Sequence, residues 1–108
     1  MISTHVLDTS KGSPASGIRV HLQMRDSSNE WKDLALGLTN NDGRHVFQIE
    51  KKPGTYQLIF EIEPYLKKES GGYFFVSAPV IFKIVDTTRN YHVPLLLNPY
   101  GYSTYRGS

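Results

Sequence analysis

Two histidines, an arginine and an aromatic C-terminal segment are the groups in this chain best suited to moving a proton or holding an anion. His5 sits in "STHVLD", Arg44 follows "NNDG", and His92 lies in "YHVPLLL". Histidine, with an unperturbed pKa of about 6.5, takes and returns a proton near neutral pH. Arginine stays charged and presents a planar fork of donors, which suits an oxyanion or an anionic ring. The segment "YHVPLLLNPYGYSTYRGS", residues 91–108, adds four tyrosines and a further arginine. Terminal segments are usually sparse and polar, so this one calls for a role.

Taken singly, these residues leave the chemistry open. On an extended strand Ser3, His5 and Leu7 share one face, and Ile2, Thr4 and Val6 share the other. Arg44 and His45 then point to opposite sides, so only one of them looks into any given cleft. Asp42-Gly43 permits the positive φ of a tight turn, which makes Arg44 read as a surface residue beside a hairpin. His21 alternates with Arg19 and Gln23 on a polar face and reads as solvated. His92 shares a face with Pro94 and Leu96, where a lone histidine is more often a satisfied buried group than a catalyst.

Several function classes have no starting point in the sequence. It contains no cysteine, which removes disulfides, thiolate metal sites and a cysteine nucleophile. There is no H-E-x-x-H or H-x-H spacing, so no metal and no cofactor is expected. G-x-S-x-G, P-loop and G-x-G-x-x-G motifs are also missing. The net charge is +2, and the 12 Lys and Arg residues are scattered. Nucleic-acid binding calls for a basic face, so no nucleic-acid partner is expected. No apolar run approaches about 18 residues and no signal-peptide layout opens the chain, which predicts a cytoplasmic protein without a membrane partner.

The elements that must position these groups are strands. Ile18, Val20, Leu22 and Met24 alternate with Arg19, His21, Gln23 and Arg25; Tyr56, Leu58, Phe60 and Ile62 repeat the pattern, as do Val80, Phe82 and Ile84. Turn clusters fall between the runs: "SKGSPASG", "DSSN", "NNDG", "KKPG" and "DTTRN". Such close spacing predicts an all-β antiparallel sandwich or barrel rather than βαβ units. "EPYLKKES" is the one helix candidate, about two turns long, with Pro64 at its first position and Gly71 as its stop. One domain over residues 1–108 is expected.

The segment at 91–108 closely resembles the C-terminal signature of 5-hydroxyisourate hydrolases, transthyretin-like enzymes of urate breakdown. "STHVLDTSKGSPASGIRV" resembles that family's opening strand and loop, and "TNNDGR" its third motif; with "GTYQLIFEIEPYL" between them, the likeness runs from near residue 3 to residue 108. Asn90 and Asn98 depart from the histidine and serine that many relatives carry there. The resemblance implies a transthyretin-like β-sandwich of two antiparallel four-stranded sheets with one short helix. It also implies a homotetramer, a dimer of dimers with a channel through it.

By the same resemblance His5, Arg44 and His92 are the catalytic residues, and Tyr105, Arg106, Gly107 and Ser108 complete a substrate site at the channel mouth. The implied substrate is a purine-derived small molecule whose ring amide is opened by water. The alternatives are transthyretin-type hormone binding, since fold alone does not fix function, and a non-catalytic adhesion or cargo sandwich.

Overall fold

A computed structural model describes residues 1–108. Nine strands and one helix follow in order: β1 Ile2–Asp8, β2 Ser13–Pro14, β3 Arg19–Arg25, β4 Trp31–Leu38, β5 Arg44–Phe47, β6 Gly54–Glu61, α1 Glu63–Glu69, β7 Ala78–Ile84, β8 Tyr91–Asn98 and β9 Gly101–Thr104. They form two sheets. One runs β4-β3-β6-β7, and the other runs β2-β1-β8-β9 with β5 also paired to β1.

The second sheet is four strands wide at every level. β5 pairs with residues 2–5 of β1, and the two-residue β2 pairs with Leu7 and Asp8, so the two share one edge position in succession. One pair departs from the antiparallel pattern: β1 and β8 run parallel, with Ser3 beside His92 and His5 beside Pro94. The transthyretin-like sandwich expected from the sequence is otherwise the architecture observed.

Alternation fixes which side of each strand is dry. Ile2, Val6, Val20, Leu22, Leu58, Phe60, Leu95 and Leu97 are fully buried between the sheets. Burying a side chain of this size contributes about 1.5–3 kcal/mol, and a one-residue slip of a strand would send its whole set to the wrong face. That penalty holds Ser3 and His5 on the outer side of β1. Thr4, buried among the core residues, donates from Oγ1 to the Val93 carbonyl at 2.6 Å, which ties β1 to β8 without an unpaired hydroxyl.

The far end of β1 is pinned by Asp8. Its Oδ1 accepts from the Ser10 amide and hydroxyl and from the Lys11 amide, and Tyr65 donates to Oδ2 at 2.7 Å. Burial alone would raise this carboxyl's pKa, but the donors together outweigh it and hold the group below its usual range.

The helix has the expected length, with Pro64 in its first turn. Its stop differs from the expected one. Ser70 closes the helix in an extended conformation, φ −132° and ψ 150°, and its amide donates to the Leu66 carbonyl. Gly71 therefore does not serve as a left-handed cap. No helix is long and apolar enough to cross a membrane.

The turn at 40–43 does more than close a hairpin. It carries the chain from β4 in one sheet to β5 in the other. Asn40 Oδ1 accepts from the amides of Asp42 and Arg44, which shapes the turn from its first residue. Gly43 adopts φ +74°, and a Cβ there would lie 2.4 Å from the Val6 carbonyl oxygen. Only glycine fits, and the Gly43 carbonyl then accepts from the Val6 amide at 2.7 Å. This docking sets Arg44 directly opposite His5.

Candidate active site

Three strands deliver the three ionisable residues to one face. Arg44 on β5 is the cross-strand partner of His5 on β1, and Ser3, two residues earlier on β1, is the partner of His92 on β8. Directly opposed residues in an antiparallel pair have Cβ atoms about 4.5–5.5 Å apart, close enough for His5 and Arg44 to act on one small ligand. All of these positions lie on the outer side of the sheet, away from the core. The division of "STHVLD" into two faces is the one observed, with Ile2, Thr4 and Val6 on the buried side.

Beside this row lies an open groove of about 410 Å³, lined by Met1, Ser3, Thr4, Arg44, Val46, Asn90, His92 and Ser108. His5 lies next to it on the same face, between Arg44 and Pro94. His92 is half-buried, and its Nδ1 lies 2.8 Å from Ser3 Oγ. Burial lowers the His92 pKa, and the neighbouring His5 and Arg44 lower it further, while the backbone of Ser3 works in the opposite direction. The net result is an imidazole that is neutral at neutral pH.

The last residues divide between two sides of β8. Gly107 forms an isolated bridge with His92 and donates its amide to the His92 carbonyl at 2.8 Å. A Cβ at position 107 would lie 2.5 Å from His92 Cδ2, so the missing side chain is what lets the chain pass over the imidazole. Ser108 follows into the groove. Tyr105 and Arg106 turn the other way, where with Val80, Phe82, Tyr91, His92 and Val93 they line a second cavity of about 230 Å³. There the Arg106 guanidinium sits over the Tyr91 ring, 4.9 Å from its centre. Within one chain, then, Ser108 shares a groove with His92 and Arg44, while Tyr105 and Arg106 share the second cavity with His92 but not with Arg44.

The remaining histidines are committed elsewhere. His21, expected to be solvated, is only part-exposed and pairs with Glu61 on the outer face of the opposite sheet. His45 points away from Arg44, as strand alternation requires. Its ring lies against Gly37, where a Cβ would come within 2.1 Å of Nε2, and meets Phe47 edge-on at 4.5 Å. No group of three or more His, Asp or Glu side chains is placed to hold a metal ion. The residue that sequence reasoning missed is Ser3. It was visible as the neighbour of His5 on the same face, but its partner lies 89 positions away.

A two-sheet sandwich whose outer face carries two histidines and an arginine defines a transthyretin-like protein equipped with ionisable groups. The chain belongs to the HIUase/Transthyretin family, whose model matches residues 2–107. It is 41% identical over 111 residues to the 5-hydroxyisourate hydrolase of Mus musculus, a match that covers 99% of this chain and 94% of that one. Among solved structures, Klebsiella pneumoniae 5-hydroxyisourate hydrolase superposes with a TM-score of 0.85 at 34% identity, covering 99% of this chain and 98% of the other. Sea bream transthyretin in complex with thyroxine gives a TM-score of 0.91 at 24% identity, covering 98% and 93%. That last likeness shows the shared fold alone.

Proposed function

We propose that the protein hydrolyses 5-hydroxyisourate, opening its ring amide by attack of water. The observation that carries this reading is the convergence of His5, Arg44 and His92 from three strands on one sheet face. Likeness to hydrolases over nearly the whole chain supports the choice of substrate.

The residues divide the work as follows. His92 Nε2 takes a proton from water as the water adds to the ring carbonyl, a task for a base that is neutral at working pH. Arg44 holds the oxygen on which negative charge develops, and its guanidinium needs no rearrangement to do so. The leaving ring nitrogen is protonated by the imidazolium so formed or by His5, and the C–N bond breaks. Ser108 positions substrate at the groove floor, and Gly107 keeps the His92 ring in place. Arg106 anchors the terminal segment against Tyr91, and Tyr105 and Arg106 bound the substrate site on the second side of His92. No triad geometry supports a covalent intermediate, and no metal or cofactor takes part in this reading.

In this reading the chain acts in the cytoplasm as one domain, assembled as a homotetramer with the grooves opening into a shared channel. Ile81, Val85, Phe74, Val76 and Tyr100 are exposed apolar residues at 55%, 69%, 72%, 57% and 68%, more than a small monomer usually shows to water. β7 and β9 are the outer strands at one side of the two sheets, and bare edges invite pairing. Sedimentation at micromolar concentration is expected to show a species four times the mass of the 12.3 kDa chain. A monomer there would contradict the assembly.

The direct test mixes purified protein with freshly generated 5-hydroxyisourate and follows the ultraviolet decay against the spontaneous rate. Acceleration is expected; its absence would favour a binding role for the same groove. The pH dependence is a second check. Because His92 titrates below the ordinary histidine value of 6.5, the acid limb of kcat/KM is expected to have its midpoint below 6.5 and to level off before neutrality. The stability contribution has the same sign. The unfolded chain binds this proton more tightly, so stability from His92 is present above about 6.5 and is lost as pH falls through the window beneath it. An acid limb centred above 7 would remove His92 from the role of base.

A further inference from the structure

We propose that Ser3 is a positioning residue that fixes the tautomer of His92, accepting a hydrogen bond from Nδ1–H and so leaving Nε2 as the basic nitrogen. The 2.8 Å contact between Ser3 Oγ and His92 Nδ1 joins β1 to β8 across their parallel register. It is the one side-chain hydrogen bond the His92 ring makes within the chain, and no side chain meets Nε2.

A hydroxyl can serve as donor or acceptor, so the contact alone permits either tautomer. Two features decide between them. The groove that His92 lines is also lined by Arg44, a group with donors only. A lone pair on Nε2 complements that cation, whereas an Nε2–H would meet it donor to donor. The second feature is reorganisation. When Nε2 accepts a proton both ring nitrogens become donors, and a bond already running from Nδ1–H to Ser3 survives that step unchanged. The opposite arrangement would require the Ser3 hydroxyl to turn during the reaction.

Gly107 completes the restraint. Its amide holds the His92 carbonyl, and its bare Cα closes on the Cδ2 side of the ring. Serine on one side and glycine on the other thus hold the ring in one orientation. The charged and titratable groups around His92 are His5 on β1, Arg44 on β5, Lys83 on β7, Tyr91 on its own strand, Tyr105 and Arg106 in the terminal segment, and Met1.

The inference rests on the proposed hydrolysis for its consequence, but its test does not depend on turnover. Protein labelled with ¹⁵N-histidine is examined by NMR at a pH where His92 is neutral, and the His92 signals are assigned by their loss in His92→Asn. The expected result is a proton on Nδ1 in the intact protein and in Ser3→Thr, with loss of that fixed tautomer in Ser3→Ala. In kinetics Ser3→Ala should lower kcat roughly 10- to 100-fold with little change in KM, and Ser3→Thr should restore it. The acid limb of Ser3→Ala should move to lower pH, because the bond that favours the charged imidazole is gone. A neutral His92 protonated on Nε2 in the intact protein would overturn the proposal. So would a Ser3→Ala variant whose tautomer and pH profile match those of the intact chain. Failure to turn over 5-hydroxyisourate with the Nδ1–H tautomer in place would sink the substrate reading and leave the role of Ser3 standing.

Discussion

His92→Asn is expected to lower the catalysed rate of ring opening by roughly 10²- to 10⁴-fold, the range for loss of a positioned acid or base. Asparagine keeps a polar group at a half-buried position and leaves the core face of β8 untouched, so circular dichroism should be unchanged. His5→Asn should fall in the same range if His5 shares the proton transfer. Arg44→Lys should also fail, by roughly 10²- to 10³-fold, although the charge is kept. Lysine lacks the planar fork, and its point charge on a flexible stem does not present two donors to one oxygen. His21→Asn is the control. It removes a pair with Glu61 on the opposite sheet and should leave turnover as it was.

The strands were legible because their chemistry is local. Alternation in residues 18–24 and 56–62 reports a half-buried ribbon, and the same alternation puts His5 on the face of Ser3 and sets Arg44 opposite in sense to His45. What could not be read locally was pairing. The parallel contact of β1 with β8 joins segments 89 positions apart and brings Ser3 to His92. No periodicity encodes that distance. The turn at 40–43 was recognisable from Asp42-Gly43, but not that it crosses between sheets. That follows from the fit of Gly43 against the Val6 carbonyl, a contact made only once β1 is in place. The extent of α1 was legible from Pro64 and Gly71, but not its closing geometry: Ser70 caps it and runs on as extended chain.

The terminal segment carries the second large expected effect. Truncation after Thr104 is expected to leave a folded protein that has lost most of its hydrolase activity. β9 ends at Thr104 and keeps its pairing with residues 95–98 of β8, so the sheet stays closed. The folding cost is small by comparison. One backbone hydrogen bond, from Gly107 to His92, contributes about 0.5–1.5 kcal/mol, and the Arg106 contact with Tyr91 contributes about 0.5–1. The loss at the site is larger, because Ser108 leaves the groove and the His92 ring loses the backbone that closes over it. Misplaced reacting groups cost rate steeply even when every strand is intact. Near-normal turnover in the truncated chain would reduce the terminal segment to a structural plug. Gly107→Ala gives a finer version of the same test. Its Cβ collides with Cδ2 of His92, so it should displace the imidazole while keeping all four residues.

The central claim is that the outer face of the β5-β1-β8 sheet opens 5-hydroxyisourate with His92 as its base. The measurement that meets it most directly is the ultraviolet decay of freshly generated 5-hydroxyisourate, followed side by side with the intact protein, His92→Asn, His21→Asn and no protein. Rapid decay is expected with the intact chain and with His21→Asn, and decay close to the spontaneous rate with His92→Asn. Equal acceleration by the intact chain and by His92→Asn, or no acceleration by a folded intact chain, would contradict it.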